Sequence, residues 1–312
     1  KQKICIIGGG LTGLATAISL SKLNCQIDLV TDNGKQNTES SRTISISENN
    51  FNFLNKLNIA KSFTKKTWPC SIMKLYTEGK NEKFAEIFEF NNDGKRKKIL
   101  YMIKNSKIKK LMMDKIKQIK SISVNKHKKI SEITNAGLLK SVKLGNSSYK
   151  YNLIIICTGK NSNLVKNFFK EKIIENSYKE VSITTILKHN SIKNNTARQF
   201  FLDNEILALL PISNTKTSIV WSAKKDMEKE DEFLLKKKIK FYVKNYLKNI
   251  TFSSKIECKD LNFLIRSKYY QERTLLLGDA LHEVHPFVGQ GFNMILRDLI
   301  CLEKILSKKT SL

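Results

Sequence analysis

Residues 3–23, KICIIGGGLTGLATAISLSKL, set an apolar run directly against three glycines and then a helical apolar pattern. That order restricts the fold more than any other feature of the chain. Ile4–Ile7 reads as a short buried strand and the residues from Leu11 as a helix packed on it. Gly8, Gly10 and Gly13 fit the spacing G-x-G-x-x-G. The first allows a tight turn, the second lets backbone approach a pyrophosphate, and the third lets helix and strand pack closely. The helix N-terminus then faces the phosphate charge. A plain strand–helix turn is the competing reading. The following strand QIDLV, residues 26–30, favours a dinucleotide-binding unit. Such a unit ends its second strand on an acid that holds a ribose. Asp32 is the candidate, while Asp28 in mid-strand reads as a facing polar residue.

A second glycine-rich segment near the other end, RTLLLGDALHEVHPFVGQGFNMILRD (273–298), repeats the grammar: strand Thr274–Leu277, Gly278-Asp279, a loop, and a helix from about Gly289. It resembles the second flavin-contact motif of the aromatic-ring hydroxylases related to para-hydroxybenzoate hydroxylase. The nearer resemblance is to the ubiquinone-biosynthesis hydroxylase family, with pattern G-D-A-A-H-x-x-H-P-x-x-G-Q-G-x-N, from which this chain departs at Leu281. Three further segments resemble that family in order. They are SSRTISISENNFNFLNKLNI with Arg42, YMIKNSKIKKLM with Leu100 in place of a glycine, and TARQFFLDNEILALLPISNTKTSIVWS. The resemblance runs from about residue 4 to 303.

It implies an α/β fold, a Rossmann-like FAD/NAD(P)-binding domain with a second, antiparallel-sheet substrate domain. The expected division is 1–70, 98–178 and 266–312 for the discontinuous FAD-binding domain and 71–97 and 179–265 for the substrate-binding domain. Cofactor contacts are expected from Gly8, Gly10, Gly13, Thr31, Asp32, Arg42, Gly278, Asp279, Pro286, Gly289, Gln290, Gly291, Phe292 and Asn293. Asp279 is to accept from ribityl hydroxyls, and backbone N–H groups near Gly289–Asn293 are to face the pyrimidine edge of the flavin. The family's ribose acid falls on Thr31, one place before Asp32. The family's A-D-G segment reads Cys157-Thr158-Gly159 here, and Thr158 bears on reduction by NAD(P)H more than on flavin binding.

The implied activity is that of an FAD-dependent, NAD(P)H-using monooxygenase. Dioxygen is captured as a flavin C4a-hydroperoxide and OH passes to a phenolic ring, in this family a polyprenylated ubiquinone precursor. Flavin carries the chemistry, and His285 and Pro286 are loop candidates beside it. The alternatives are another flavoenzyme of this fold (a soluble phenol hydroxylase or prenyl-chain reductase) and a non-catalytic flavin-fold scaffold subunit of a quinone-biosynthesis complex. Thr158 and Thr31 favour the scaffold.

Composition narrows the setting. The net charge of +28 arises from lysines spread along the chain without a nucleic-acid-binding motif, so no nucleic acid partner is expected. Compositional bias accounts for such a spread, and attraction to an anionic membrane surface is the other reading. No apolar run reaches the roughly 18 residues of a spanning helix. The expectation is a cytoplasmic protein with peripheral contact at the inner face of the cytoplasmic membrane, working beside other quinone-biosynthesis proteins. Six scattered cysteines without a C-x-x-C pair are expected as reduced thiols, mostly filling core space. His282, Glu283 and His285 lack a third ligand and the H-E-x-x-H spacing, so no metal is expected. Phe200, Phe201 and Trp221 read as core before they read as pocket.

Overall fold

Alternation within the first strand decides the architecture. In Gln2–Ile7, Ile4 and Ile6 face one way and Cys5 and Ile7 the other, and all four are buried. A parallel sheet covered on both faces requires this. The computed structural model describes residues 1–31, 41–61, 63–79, 84–91, 98–126, 130–159, 163–169, 173–285 and 289–308. Its first sheet runs in the order Tyr270–Gln271, Thr274–Leu276, Leu153–Ile156, Gln2–Ile7, Cys25–Thr31, Ile122–Lys126. All pairs are parallel except the first.

Ile4, Ile6, Ile27, Leu29 and Ile155 pack under helices Leu11–Leu20, Asn105–Ile116 and Gln290–Ser307 through Leu14, Ile18, Ile108, Met112, Leu296 and Leu299. Cys5, Ile7, Val30, Ile154 and Ile156 pack on Val142, Leu144 and Tyr151 of a three-stranded antiparallel sheet, Ile130–Ala136, Leu139–Leu144 and Ser147–Tyr151. Asp28 accepts a 2.7 Å hydrogen bond from the Tyr151 hydroxyl, which gives this mid-strand carboxylate its partner.

The second body is a nine-stranded sheet. Its main path is His282–Glu283, Glu257–Arg266, Ile173–Lys188, Lys216–Lys224, Glu205–Ser213, Thr196–Leu202, Ile72–Glu78, Phe84–Asn91, with Thr251–Phe252 paired to Ile173–Lys188. Val181, Ile183, Leu207 and Trp221 turn one way, onto Leu235, Ile239 and Val243 of helix Glu232–Val243. Trp221 is fully buried and donates from Nε1 to Glu205 Oε2 at 2.9 Å, and Phe200 stacks on Tyr76 at 4.8 Å. Both aromatics are core. Ser182, Thr184 and Val220, of the other parity, face the first body. A small sheet of Thr43–Ser47, Leu100–Lys104 and Trp68–Cys70 lies between the two.

The Rossmann-like sheet with an antiparallel companion is therefore the fold. We retain the residue boundaries of the two units as a proposal, with strand Ile173–Lys188 running across the 178/179 point. Cys5, Cys25, Cys70 and Cys157 fill core space, whereas Cys258 and Cys301 are exposed. No helix among the described residues is long and apolar enough to cross a membrane.

Candidate functional site

Parallel strands deliver their following loops to one edge. Gly8 N donates to Val30 O (2.9 Å), Cys157 N to Ile7 O (2.7 Å) and Leu277 N to Ile156 O (3.0 Å). The Gly8–Thr12 turn, the Cys157–Gly159 turn and Asp279 thus become neighbours at the carboxyl edge of the sheet, where open α/β sheets bind ligands. Gly13 makes the geometry compact, since a Cβ there would collide with the Gly8 carbonyl oxygen.

The distant C-terminal segment arrives through helix Gln290–Ser307. Its N-cap, Gly289, has φ +65°, and a Cβ there would strike Ser45 Oγ. Asn293 fixes the register. Its Nδ2 donates to Ser45 O (2.8 Å) and Gly289 O (3.1 Å). Its Oδ1 accepts from Ser47 N (3.0 Å) and Asn50 Nδ2 (2.8 Å). The helix start is pinned to strand Thr43–Ser47, next to Arg42.

These pieces enclose one cavity of about 1310 Å³. Gly8, Gly10, Thr12, Val30, Thr158 and Gly159 line it from the first glycine loop and its neighbours, with Arg42, Asn105, Lys109 and Asp279. Gly289, Gly291 and Phe292 line it from the last helix, and Ser182, Thr184, Val220, Lys259 and Leu261 from the nine-stranded sheet. Three helices, Leu11–Leu20, Asn105–Ile116 and Gln290–Ser307, begin at this cavity. None has a side-chain cap or an acid in its first turn. First-turn N–H groups have no acceptor within their helix. An anion at such a start gains about 0.3–1 kcal/mol from each. A Cβ at Gly10, Gly159 or Gly291 would enter empty space rather than protein. The buried hydroxyls of Thr43 and Thr158 have no hydrogen-bond partner among the described residues. The cavity is thus a backbone-lined cradle with anion-favouring ends and hydroxyls awaiting a ligand.

The FAD binding domain family matches this sequence over residues 1–311. The chain belongs to that family. Among curated proteins, this FAD-binding chain is 27% identical to the mitochondrial ubiquinone biosynthesis monooxygenase COQ6 of Xenopus tropicalis over half of its own length. It spans only 42% of that protein. Against the COQ6 of Dictyostelium discoideum it is 24% identical over 98% of its length and 76% of that protein. Among solved structures, PqsL of Pseudomonas aeruginosa, a probable FAD-dependent monooxygenase, superposes with a TM-score of 0.81 at 15% identity, covering 98% of this chain and 85% of PqsL. At that identity the likeness is one of fold.

Of the residues expected at the cofactor of this FAD-binding chain, Gly8, Gly10, Arg42, Asp279, Gly289, Gly291 and Phe292 line the cavity. Gly13 and Asn293 shape it from behind, and Gly278 packs on Thr12. Thr31 is buried beneath Gly9, and Gln290 is exposed. Asp32 and Pro286 lie outside the described residues. Sequence reasoning missed Thr43, Lys109, Ser182, Thr184 and Lys259. Lys109 follows Asn105 by four residues and so lies on the same helix face. The Cys157 thiol, although it lines the cavity, is pushed up to about 12 by burial and stays an inert thiol.

Both loop histidines are tied to carboxylates. His285 Nε2 lies 2.9 Å from Glu180 Oε2, and His282 Nε2 lies 3.3 Å from Asp298 Oδ2. The arrangement orients the loop. His282 is held above the ordinary histidine value of 6.5 by its hydrogen bond to Asp298, against burial, with Asp279 adding to the effect. A raised folded-state pKa means the stabilisation is complete below about 6.5 and is lost as pH rises through the folded value. Asp298 is 43% exposed, so the contribution is below about 1 kcal/mol. Melting temperatures measured across that range are expected to fall more steeply with pH for the wild type than for Asp298→Asn.

Proposed function

We propose that this chain is an FAD-dependent monooxygenase that hydroxylates a phenolic ring, a polyprenylated ubiquinone precursor. The observation that carries the reading is the single cavity onto which the Gly8–Thr12 turn, the Gly289 helix start and one face of an antiparallel sheet all open. FAD fits the residues present. The start of helix Leu11–Leu20, with Arg42 and Lys109, would hold the pyrophosphate, and Asp279 would accept from ribityl hydroxyls. First-turn amides at Gly291 and Phe292 would face the electron-rich pyrimidine edge. Val220 and Leu261 would press on the substrate ring, with Ser182 and Thr184 beside its oxygens.

Bound FAD would supply the redox chemistry, reduction by NAD(P)H and activation of dioxygen. The protein contributes orientation, anion stabilisation and exclusion of water. The COQ6 relatives, named as ubiquinone biosynthesis monooxygenases, support the substrate class. A prenyl tail keeps such a substrate in the bilayer. The +28 charge supports peripheral contact with an anionic membrane, at about 1 kcal/mol per well-placed lysine.

A second reading, a non-catalytic flavin-fold scaffold beside other quinone-biosynthesis proteins, is favoured by the neutral Thr158 and Thr31. Stopped-flow absorbance of the FAD-loaded protein separates the two. The enzyme is expected to bleach with NADH or NADPH in the presence of a phenol, and to reoxidise in air with release of hydroxylated product. Flavin that no nicotinamide donor reduces, in a protein that still captures partner hydroxylases, would favour the scaffold.

A further inference from the structure

The last strand of the nine-stranded sheet, Phe84–Asn91, is exposed along nearly its whole length. It pairs with Ile72–Glu78 on one side, and no strand among the described residues pairs with the other. Ile87, Phe88 and Phe90 are 54%, 51% and 46% exposed, and the two rings lie against each other at 4.4 Å. A register shift between Leu75 and Tyr76 leaves Ile87 as the extra residue of a bulge, where it stands clear of the partner strand. Soluble proteins usually blunt such an edge with unpaired charge. Here the strand's two acids are partly neutralised by one lysine. Lys74 reaches Glu86 at 2.9 Å and Glu89 at 2.7 Å, so one ammonium bridges both carboxylates on the sheet face opposite Phe88 and Phe90, whose strand partners are Leu75 and Met73.

We infer that this edge is a docking surface for an anionic lipid bilayer, with Ile87, Phe88 and Phe90 seated at the headgroup–acyl boundary. Two observations choose the bilayer over a second copy of the chain. A net charge of +28 opposes self-association and favours an anionic surface. The sequence on either side of the strand, residues 80–83 and 92–98, carries six lysines and arginines against two acids. Peripheral proteins bury Phe and aliphatic side chains at the headgroup–acyl boundary, and cations near in sequence add electrostatic attraction. The proposed prenylated substrate gives a reason for the contact, and to that extent the inference rests on the function proposed above. The surface itself stands on its exposed residues. It belongs to the same sheet that supplies Ser182, Thr184 and Val220 to the cavity, so docking would orient that wall relative to the bilayer.

Sedimentation of the FAD-loaded protein with vesicles of equimolar phosphatidylglycerol and phosphatidylcholine tests the inference. Wild type is expected to bind, to release with added salt, and to leave pure phosphatidylcholine vesicles largely unbound. Phe88→Ser with Phe90→Ser is expected to weaken binding roughly tenfold or more, with flavin content and melting temperature unchanged. Lys74→Gln, which leaves two unneutralised carboxylates on the edge strand facing an anionic surface, is expected to weaken it as well, whereas Phe88→Trp is expected to bind as wild type does. Absence of wild-type binding, or equal binding by the double serine variant, would overturn the inference. So would a wild-type dimer that the serine variant abolishes, because the edge would then pair with its own copy. Hydroxylation of a short, water-soluble phenol by a protein that ignores vesicles would overturn the docking surface alone and leave the proposed reaction standing.

Discussion

Gly13→Ala is expected to yield a protein that is markedly less stable and that purifies without flavin. The new methyl would collide with the Gly8 carbonyl oxygen, and also approach the Gly8 carbonyl carbon. Both obstacles are backbone, so no rotamer change relieves them. Overpacking of this kind costs about 1–3 kcal/mol, and more where the neighbours are rigid. The helix start must then move off the turn that the proposed pyrophosphate needs. Gly10→Ala is the informative companion. Its Cβ meets no protein atom within 4 Å, so the apo protein is expected to melt as wild type does while FAD affinity falls. Urea denaturation of the apo proteins and flavin titration measure the two effects separately. An unchanged FAD affinity in Gly10→Ala would remove the pyrophosphate from this loop.

Asn293→Ala is expected to be the most damaging substitution in the C-terminal segment. The side chain is 7% exposed and makes four hydrogen bonds, to Ser45 O, Gly289 O, Ser47 N and Asn50 Nδ2. Truncation strands buried donors and acceptors at about 1–3 kcal/mol each, and after partial rehydration a loss of about 3–5 kcal/mol is expected. Thermal or urea unfolding reads the loss directly. Cofactor affinity is expected to fall with it, because the Gly289 helix start loses its tether to strand Thr43–Ser47.

Much of this is legible in the amino-acid sequence. The alternation in Ile4–Ile7 and the glycine spacing that follows it specify a buried parallel strand and a helix pressed on its end. The second glycine segment states the same local geometry, and its pairing with the first came from the family resemblance. Other features resisted reading. Lys109 looks like any outward lysine of an amphipathic helix, because its role depends on a cavity formed by distant segments. Ser182, Thr184 and Lys259 lie in strands whose polar face resembles a solvated one until a second body covers it. Strand Ile173–Lys188 carries a strand's apolar character only in its second half. Its first residues are mixed in character, and a bulge between Ser177 and Glu180, with Lys179 at φ +55°, breaks the period of two. Asn293 was legible as a motif position but not as a strut. A pattern of residue types records that an amide is needed without recording which carbonyls and N–H groups it serves.

The amide tether between Asn293 and Ser45 joins positions 248 residues apart. A nascent chain leaving the ribosome therefore carries its first glycine loop at first without the opposite wall of the cleft. Until residues near 293 emerge, the carboxyl edge of the first sheet stays uncovered on that side. Assembly of the cofactor compartment therefore waits on the synthesis of that distant segment, and until then the open edge is a surface prone to aggregation.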